Sequence, residues 1–155
     1  MLLTSDDHRF RVLAWEGNKP EKYNTLLQFV DSAGRIRLKK PSDFKDYAEL
    51  RHPGYKSLIQ VHRSNGNIYL LAAKTDDGGE HLLAYGLKDG KPDMLRVFLS
   101  NNKSYSQLEV AYMKGKQYLS YDAKHQSITF PMIIKSGKKV KIHIVKLKFD
   151  GQVFK

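Results

Sequence analysis

Six histidines are the side chains in this sequence best suited to acid–base or metal chemistry, and their spacing argues against both. A zinc site takes three or four ligands, which often stand close together on one element. The nearest two, His52 and His62, lie on either side of a Pro-Gly turn, and the other four are scattered along the chain: His8, His81, His125 and His143. The spacing therefore favours separate histidines over a shared metal site.

Other catalytic groups are equally sparse. The chain has no cysteine, which excludes disulfides, thiolate catalysis and cysteine-ligated metal centres. Asp7 precedes His8, but neighbours in a strand point to opposite faces, so we predict a fraying start and not a carboxylate that orients an imidazole. The sequence favours a non-catalytic protein with no cofactor and no metal. A hydrolase or metal enzyme built from scattered His and Asp residues is the alternative.

Lysine is the most unevenly distributed side chain. From Asn101 to Lys155 there are eleven lysines, no arginine and three acidic residues, a formal net charge of +8. Such an excess attracts polyanions, although a solvated face that blunts sheet edges is the simpler interpretation. We predict a surface for an anionic partner, whether an acidic glycan, a lipid head group or an acidic protein. Its predicted residues are Lys114, Lys116, Lys135, Lys138, Lys139, Lys141, Lys146 and Lys148, with Tyr112 and Tyr118.

Tyrosines alternate with these lysines, and this pattern supports a second hypothesis. Basic β domains bind single-stranded nucleic acids by stacking bases on aromatic rings within a cationic groove. Strands favour tyrosine for packing reasons as well, and no RNA-binding signature is present. The tyrosines concerned are Tyr105, Tyr112, Tyr118 and Tyr121.

The remaining elements are predicted to be strands. Turn-forming pairs recur about every ten residues, with alternating apolar residues between them, which is typical of an antiparallel all-β protein. We predict one domain over residues 1–155, a meander of about ten strands arranged as a sandwich or a partly open barrel. The turn pairs include Asn65-Gly66, Asp89-Gly90, Asn101-Asn102, Ser136-Gly137 and Asp150-Gly151.

Three local features depart from this pattern. Residues 42–51 have an N-cap serine and apolar residues at helical spacing, which predicts a short inserted helix. The apolar phase reverses between Ile144 and Val145, which predicts a β-bulge near Val145. Pro131 cannot donate a backbone hydrogen bond, which favours an edge position or a bulge.

Apolar runs and the N-terminal residues bear on the cellular location of the protein. No apolar run reaches the ~20 residues that span a bilayer, and Met1–Asp7 lacks the features of a signal peptide. This N-terminal sequence fits a cytoplasmic protein. It also fits an exported domain whose signal peptide has been removed.

Residues 5–15, Ser-Asp-Asp-His-Arg-Phe-Arg-Val-Leu-Ala-Trp, resemble the opening of a loose group of uncharacterised bacterial proteins. The resemblance continues through Leu27-Gln28-Phe29, residues 68–71 and residues 147–154. Glu16–Pro20 stands where the group has Gly-Gly-Thr. The resemblance implies an exported, periplasmic or envelope-associated all-β domain, and it brings no catalytic residues. Together with the lysines, it predicts a binding or structural module.

Overall fold

The computed structural model describes residues 2–14, 25–41, 56–75, 79–113 and 119–155. These residues form fourteen strands and no helix. The strands are β1 (Leu3–Thr4), β2 (Phe10–Ala14), β3 (Thr25–Val30), β4 (Ile36–Pro41), β5 (Lys56–Val61), β6 (Ile68–Lys74), β7 (Glu80–Lys88), β8 (Lys91–Met94), β9 (Phe98–Ser100), β10 (Lys103–Tyr105), β11 (Gln107–Glu109), β12 (Ser120–Asp122), β13 (Ser127–Ser136) and β14 (Lys139–Lys148).

Antiparallel pairing joins the strands into four sheets. The first sheet has the order β1-β2-β3-β4, and the second has the order β11-β7-β6-β5 with β8 also paired to β7. The third sheet has the order β12-β13-β14, and β9 and β10 form a separate ribbon. None of the sheets formed by these described strands closes on itself.

The sheet of β5–β8 and β11 is the middle layer, because both of its faces are covered. Alternate residues of β6 enter two different cores: Ile68 and Leu70 enter one, Tyr69 and Leu71 the other. An amphipathic strand would leave one of these faces polar, whereas β6 is apolar from Ile68 to Ala73. The run of apolar residues is therefore explained by burial on both sides.

The two cores join the middle sheet to a layer on each side. One contains Phe10, Val12, Leu27 and Phe29 of the first sheet, and the ring of Phe10 stacks on that of Tyr69 at 5.3 Å between centroids. The other core contains Ile128 and Phe130 of β13, together with residues of β9 and the C-terminal segment. The described strands thus form three layers.

The long hairpin of β13 and β14 has one uninterrupted register. Ser127 lies opposite Lys148 and Ser136 lies opposite Lys139, with every residue between them paired in sequence. The predicted bulge near Val145 is therefore wrong. The apolar phase reverses because Val145 and Leu147 pack against the core, whereas Ile142 and Ile144 lie on the opposite face of the hairpin.

Pro131 lies in β13 beyond the end of β12, whose pairing stops at Thr129. Its carbonyl accepts the N–H of Ala111 at 2.8 Å, on the side of β13 away from β14. The nitrogen of a strand residue faces the same side as its carbonyl, so the missing N–H is not needed for the ladder with β14. No described strand pairs with β13 on this side at Pro131, which fits the predicted edge position, and the segment of Ala111 makes a single backbone contact there.

The prediction of an all-β antiparallel protein is confirmed. The number of strands is larger than the predicted ten or so, because Met94–Leu99 divides between β8 and β9, and β1 and β10 are short strands without a clear alternation. The helix predicted for residues 42–51 lies outside the described residues. Several predicted turns adopt the positive φ that glycine, asparagine and aspartate tolerate: Asp89, Gly90, Asn101, Asn102, Gly137 and Gly151.

Truncation of Leu70 should destabilise the protein strongly. Its side chain is 0% exposed in the middle layer, so Leu70→Ala should lower the free energy of unfolding by about 2–5 kcal/mol. The matched control is Ile142→Ala, where the side chain is 48% exposed and the loss should stay below about 1 kcal/mol. Urea denaturation measures both. Equal losses would show that the hairpin's outer face is part of a packed core.

Candidate functional site

The basic hairpin, which we define as residues 127–148, carries six lysines and no acidic residue. Between Asp122 and Asp150 there are seven lysines and no acidic residue. Because the register is regular, the residue positions alternate between two faces. Lys139 and Lys141 lie on the inner face, which packs on the core near the base of the hairpin, and Lys146 and Lys148 lie on the outer face.

The outer face also exposes branched aliphatic side chains. Val140 is 63% exposed, Ile142 48% and Ile144 56%. Ile133, which is paired with Ile142, continues this apolar patch. Isolated surface aliphatics are ordinary, but a contiguous patch bounded by charges is typical of an interaction surface. The hairpin therefore combines charge attraction with apolar area.

Six of the predicted lysines lie on this hairpin, and all of them are exposed: Lys135, Lys138, Lys139, Lys141, Lys146 and Lys148. Lys114, Lys116 and Tyr118 lie outside the described residues. Tyr112 is half-buried and packs against the same core as Phe130, which places it away from the open hairpin faces. Of the predicted residues that the structure describes, the six lysines thus share one hairpin and Tyr112 does not lie on its open faces.

The exposed aliphatic residues of β14 do not follow from the sequence pattern alone. If every apolar residue of a strand faces a core, Ile142 and Ile144 imply a bulge, whereas the structure places both on an exposed face. The signal that could have found them is the alternation of lysine with Val140 and Ile142 next to a Ser-Gly turn. Lysines in this pattern indicate a strand that is solvated on both faces.

A second polar feature is the turn around Asp7. Its carboxylate accepts hydrogen bonds from the hydroxyls of Ser5 at 2.6 Å and Tyr69 at 2.7 Å. It also accepts the backbone N–H of Arg9 at 3.0 Å and the side-chain amide of Asn67 at 3.1 Å. Asp7 thus ties the first sheet to β6, and the prediction of a fraying start is wrong.

The environment of Asp7 favours its charged form. Burial on its own raises the pKa of this carboxyl, but the hydrogen bonds from Ser5, Tyr69, Arg9 and Asn67 outweigh it and leave the pKa below its usual value. Burial, and then the hydrogen bond to Asp7, raise the pKa of the Tyr69 phenol. The pair is therefore a carboxylate with a neutral phenol, which suits a structural link.

The histidines do not converge on a catalytic arrangement. Nδ1 of His125 lies 2.6 Å from Oδ2 of Asp122, and this contact lowers the pKa of Asp122, but both side chains are exposed in the turn before β13. Nδ1 of His62 lies 3.0 Å from Oδ1 of Asn67. Among the residues that the structure describes, no group of three His, Asp or Glu side chains could hold a metal ion.

An open groove of about 730 Å³ lies between two sheet edges, β5 and β12. Its wall includes Asp6 and His62, together with Tyr121, whose pKa is raised by burial and by the charge of Asp122. His62 lies in contact with Asn67. The described residues of the groove therefore provide an open cleft whose one histidine contacts an amide.

No protein-family model matches the chain, and neither a curated protein nor a solved structure matches it. No helix among the described elements is long and apolar enough to cross a membrane.

Asp7→Asn should destabilise the protein at neutral pH by about 1–3 kcal/mol, because it weakens a partly buried hydrogen-bond network. The folded-state pKa of Asp7 lies below its unfolded value, so its contribution is present above about pH 4 and is lost as the pH falls through the folded pKa. The difference between Asp7→Asn and the natural sequence should shrink in acid. Urea denaturation over a pH series measures this.

The matched control is Asp89→Asn, an exposed aspartate at a turn position with φ of 52°, which asparagine also tolerates. It should leave the free energy of unfolding nearly unchanged at every pH. If both variants behaved alike at neutral pH, the link between Asp7 and β6 would contribute nothing to stability.

Proposed function

We propose that this chain is a non-catalytic binding module whose basic hairpin docks on an acidic protein. The observation that carries the proposal is a set of six lysines without one acidic residue, on a hairpin that also exposes Val140, Ile142 and Ile144. Clustered positive charge raises the rate of encounter with an anionic surface and makes binding sensitive to salt. When a partner covers exposed aliphatic groups, they are removed from water, and this burial favours the complex.

The apolar patch favours a protein over the other anionic partners. A glycan or a free head group can pair with the charges of the lysines, but it leaves the branched aliphatic side chains in water. For insertion into a bilayer, apolar residues are needed at the tip of the hairpin, whereas the tip is Lys135-Ser136-Gly137-Lys138-Lys139. A protein surface can present acidic and apolar groups side by side, which matches what the hairpin offers.

A single-stranded nucleic acid is less well supported. Such binding stacks bases on exposed aromatic rings beside the cations. Tyr112 and Tyr121 instead pack against the core, and Tyr105, although 38% exposed, lies on β10 and not on the hairpin. Branched aliphatic residues occupy the positions where stacking rings are needed. The lysines also lack the planar fork with which arginine reads phosphates.

The compartment remains a prediction. The resemblance of residues 5–15 to exported bacterial proteins favours a periplasmic or extracellular location, where an acidic envelope protein is a suitable partner. The binding proposal does not depend on that location.

Removal of hairpin charge should weaken binding selectively. The triple variant Lys139→Gln, Lys141→Gln and Lys146→Gln should bind poly-L-glutamate about tenfold more weakly, and binding by the natural sequence should fall as salt rises. Fluorescence anisotropy with labelled poly-L-glutamate measures both effects. Circular dichroism and urea denaturation confirm that the variants are folded.

The matched control removes three exposed lysines elsewhere: Lys88, Lys91 and Lys103. It changes the net charge by the same amount but leaves the hairpin intact, so it should retain most of the affinity. Equal losses from the two variants would mean that only net charge matters. Stronger binding to oligo-dT or to anionic vesicles than to poly-L-glutamate would refute an acidic protein as the partner.

A further inference from the structure

Among the strands that the structure describes, β14 is paired along one edge and open along the other. Its ladder with β13 runs from Lys139 to Lys148, and no other described strand pairs with it. On the open edge, the last residue of β14 is hydrogen-bonded to the C-terminal segment. The N–H of Lys148 donates to the carbonyl of Lys155 at 3.0 Å, and the N–H of Lys155 donates back at 3.1 Å.

The C-terminal segment that makes this contact is well anchored. Phe154 is fully buried and forms an antiparallel bridge with Phe149. The carboxylate of Asp150 accepts the N–H groups of Val153 and Gln152, which lower its pKa to about 2. A firmly held segment therefore begins an additional antiparallel strand beside β14, in which Lys155 lies opposite Lys148.

The pairing of Lys148 fixes which backbone groups face the open edge. Along a strand, successive residues direct their N–H and C=O groups to opposite edges. Lys148 faces outward, so Lys146, Ile144, Ile142 and Val140 face outward as well. Pro131 lies opposite Ile144 and needs no N–H toward β14, which agrees with this alternation.

These outward-facing residues also have a distinctive side-chain pattern. Val140, Ile142 and Ile144 place exposed aliphatic groups on the outer face, and Lys139, Lys141 and His143 place basic or titratable groups on the inner face. An added strand sets each of its side chains beside the row on the same face. The best-fitting strand has apolar residues on one face and carboxylates on the other.

We propose that the open edge of β14 accepts an extended segment of the acidic partner as an additional antiparallel strand, in which apolar residues alternate with aspartate or glutamate. This inference rests on the proposed function and adds the binding mode and the partner's sequence pattern. Main-chain hydrogen bonds supply affinity in such strand addition, and the alternate side chains supply specificity. A second copy of this chain fits poorly, because its β14 would bring lysines against lysines.

The first test uses a short synthetic peptide that alternates valine with glutamate. It should bind roughly tenfold or more tightly than a peptide of the same composition with its valines and glutamates in separate blocks. Isothermal titration calorimetry on the full chain measures both affinities. The block peptide is the matched control, since it has the same charge and the same apolar content.

The second test distinguishes strand addition from simple attraction. The residues opposite Val140, Ile142 and Ile144 are the valines of the peptide, and these residues direct their N–H groups toward β14. N-methylation of the valines should therefore reduce affinity roughly tenfold or more, whereas N-methylation of the glutamates should leave it nearly unchanged. The protein is not altered, so misfolding cannot explain the result.

Amide hydrogen exchange of the protein provides a third, independent measurement. The amides of Val140, Ile142 and Ile144 should exchange more slowly when the alternating peptide is bound. The amides of Lys139, Lys141 and His143 face β13 and are already protected, so the peptide should change them little. If the peptide slowed the exchange of both sets of amides equally, the proposed binding mode would be overturned.

The outcomes separate the inference from the proposed function. If the block peptide and poly-L-glutamate bind as well as the alternating peptide, and neither N-methylation matters, strand addition is refuted while anionic binding stands. If no acidic probe binds, both proposals fail. Self-association of the chain through β14 in sedimentation equilibrium, or preferential binding to anionic vesicles or oligo-dT, would also overturn the inference.

Discussion

Burial of the middle sheet on both faces is the constraint on which the rest of the structure depends. A strand with a covered face on each side has no position for a solvated charge, so β6 and the centre of β7 are apolar in almost every residue. Charged residues must then lie on the outer layers, the turns and the free strands. The concentration of lysine on the hairpin is therefore compatible with the fold, because the outer half of that hairpin takes no part in either core.

The outer layers are held to this middle sheet in different ways. The first sheet adds a polar link at one end of the contact, where Asp7 accepts four hydrogen bonds and its backbone N–H donates to Gln60 of β5 at 2.8 Å. The third sheet is held by apolar packing near its base, where Phe130 and Leu147 contact the core. At its other end the side chains of Ile134, Val140 and Ile142 are exposed. A long hairpin fixed at its base presents an ordered strand to solvent, and a preordered strand loses little entropy on binding.

The sequence predicts the strands better than their arrangement. Turn pairs and period-2 alternation are local, because they follow from backbone sterics and from the pleat of a single strand. The stacking of three layers is not local, since the same alternation in β13 is compatible with any apolar surface. The reversal between Ile144 and Val145 shows this most clearly, because a bulge and an unpacked hairpin end produce the same sequence pattern. For the same reason the lysines could be assigned to one surface, but the aliphatic residues between them could not.

An exposed strand edge with aliphatic side chains normally promotes aggregation. The lysines of β14 oppose that aggregation. Each outward-facing backbone group can pair with any chain that approaches, so an uncharged edge would pair with copies of itself. Lysines on both faces oppose that self-pairing because an approaching copy brings the same charges. In the proposed binding mode the same lysines attract a strand of opposite charge, while Val140, Ile142 and Ile144 favour a strand that is apolar on its other face. This arrangement of charge opposes pairing with a second copy of the chain and favours the acidic partner that we propose.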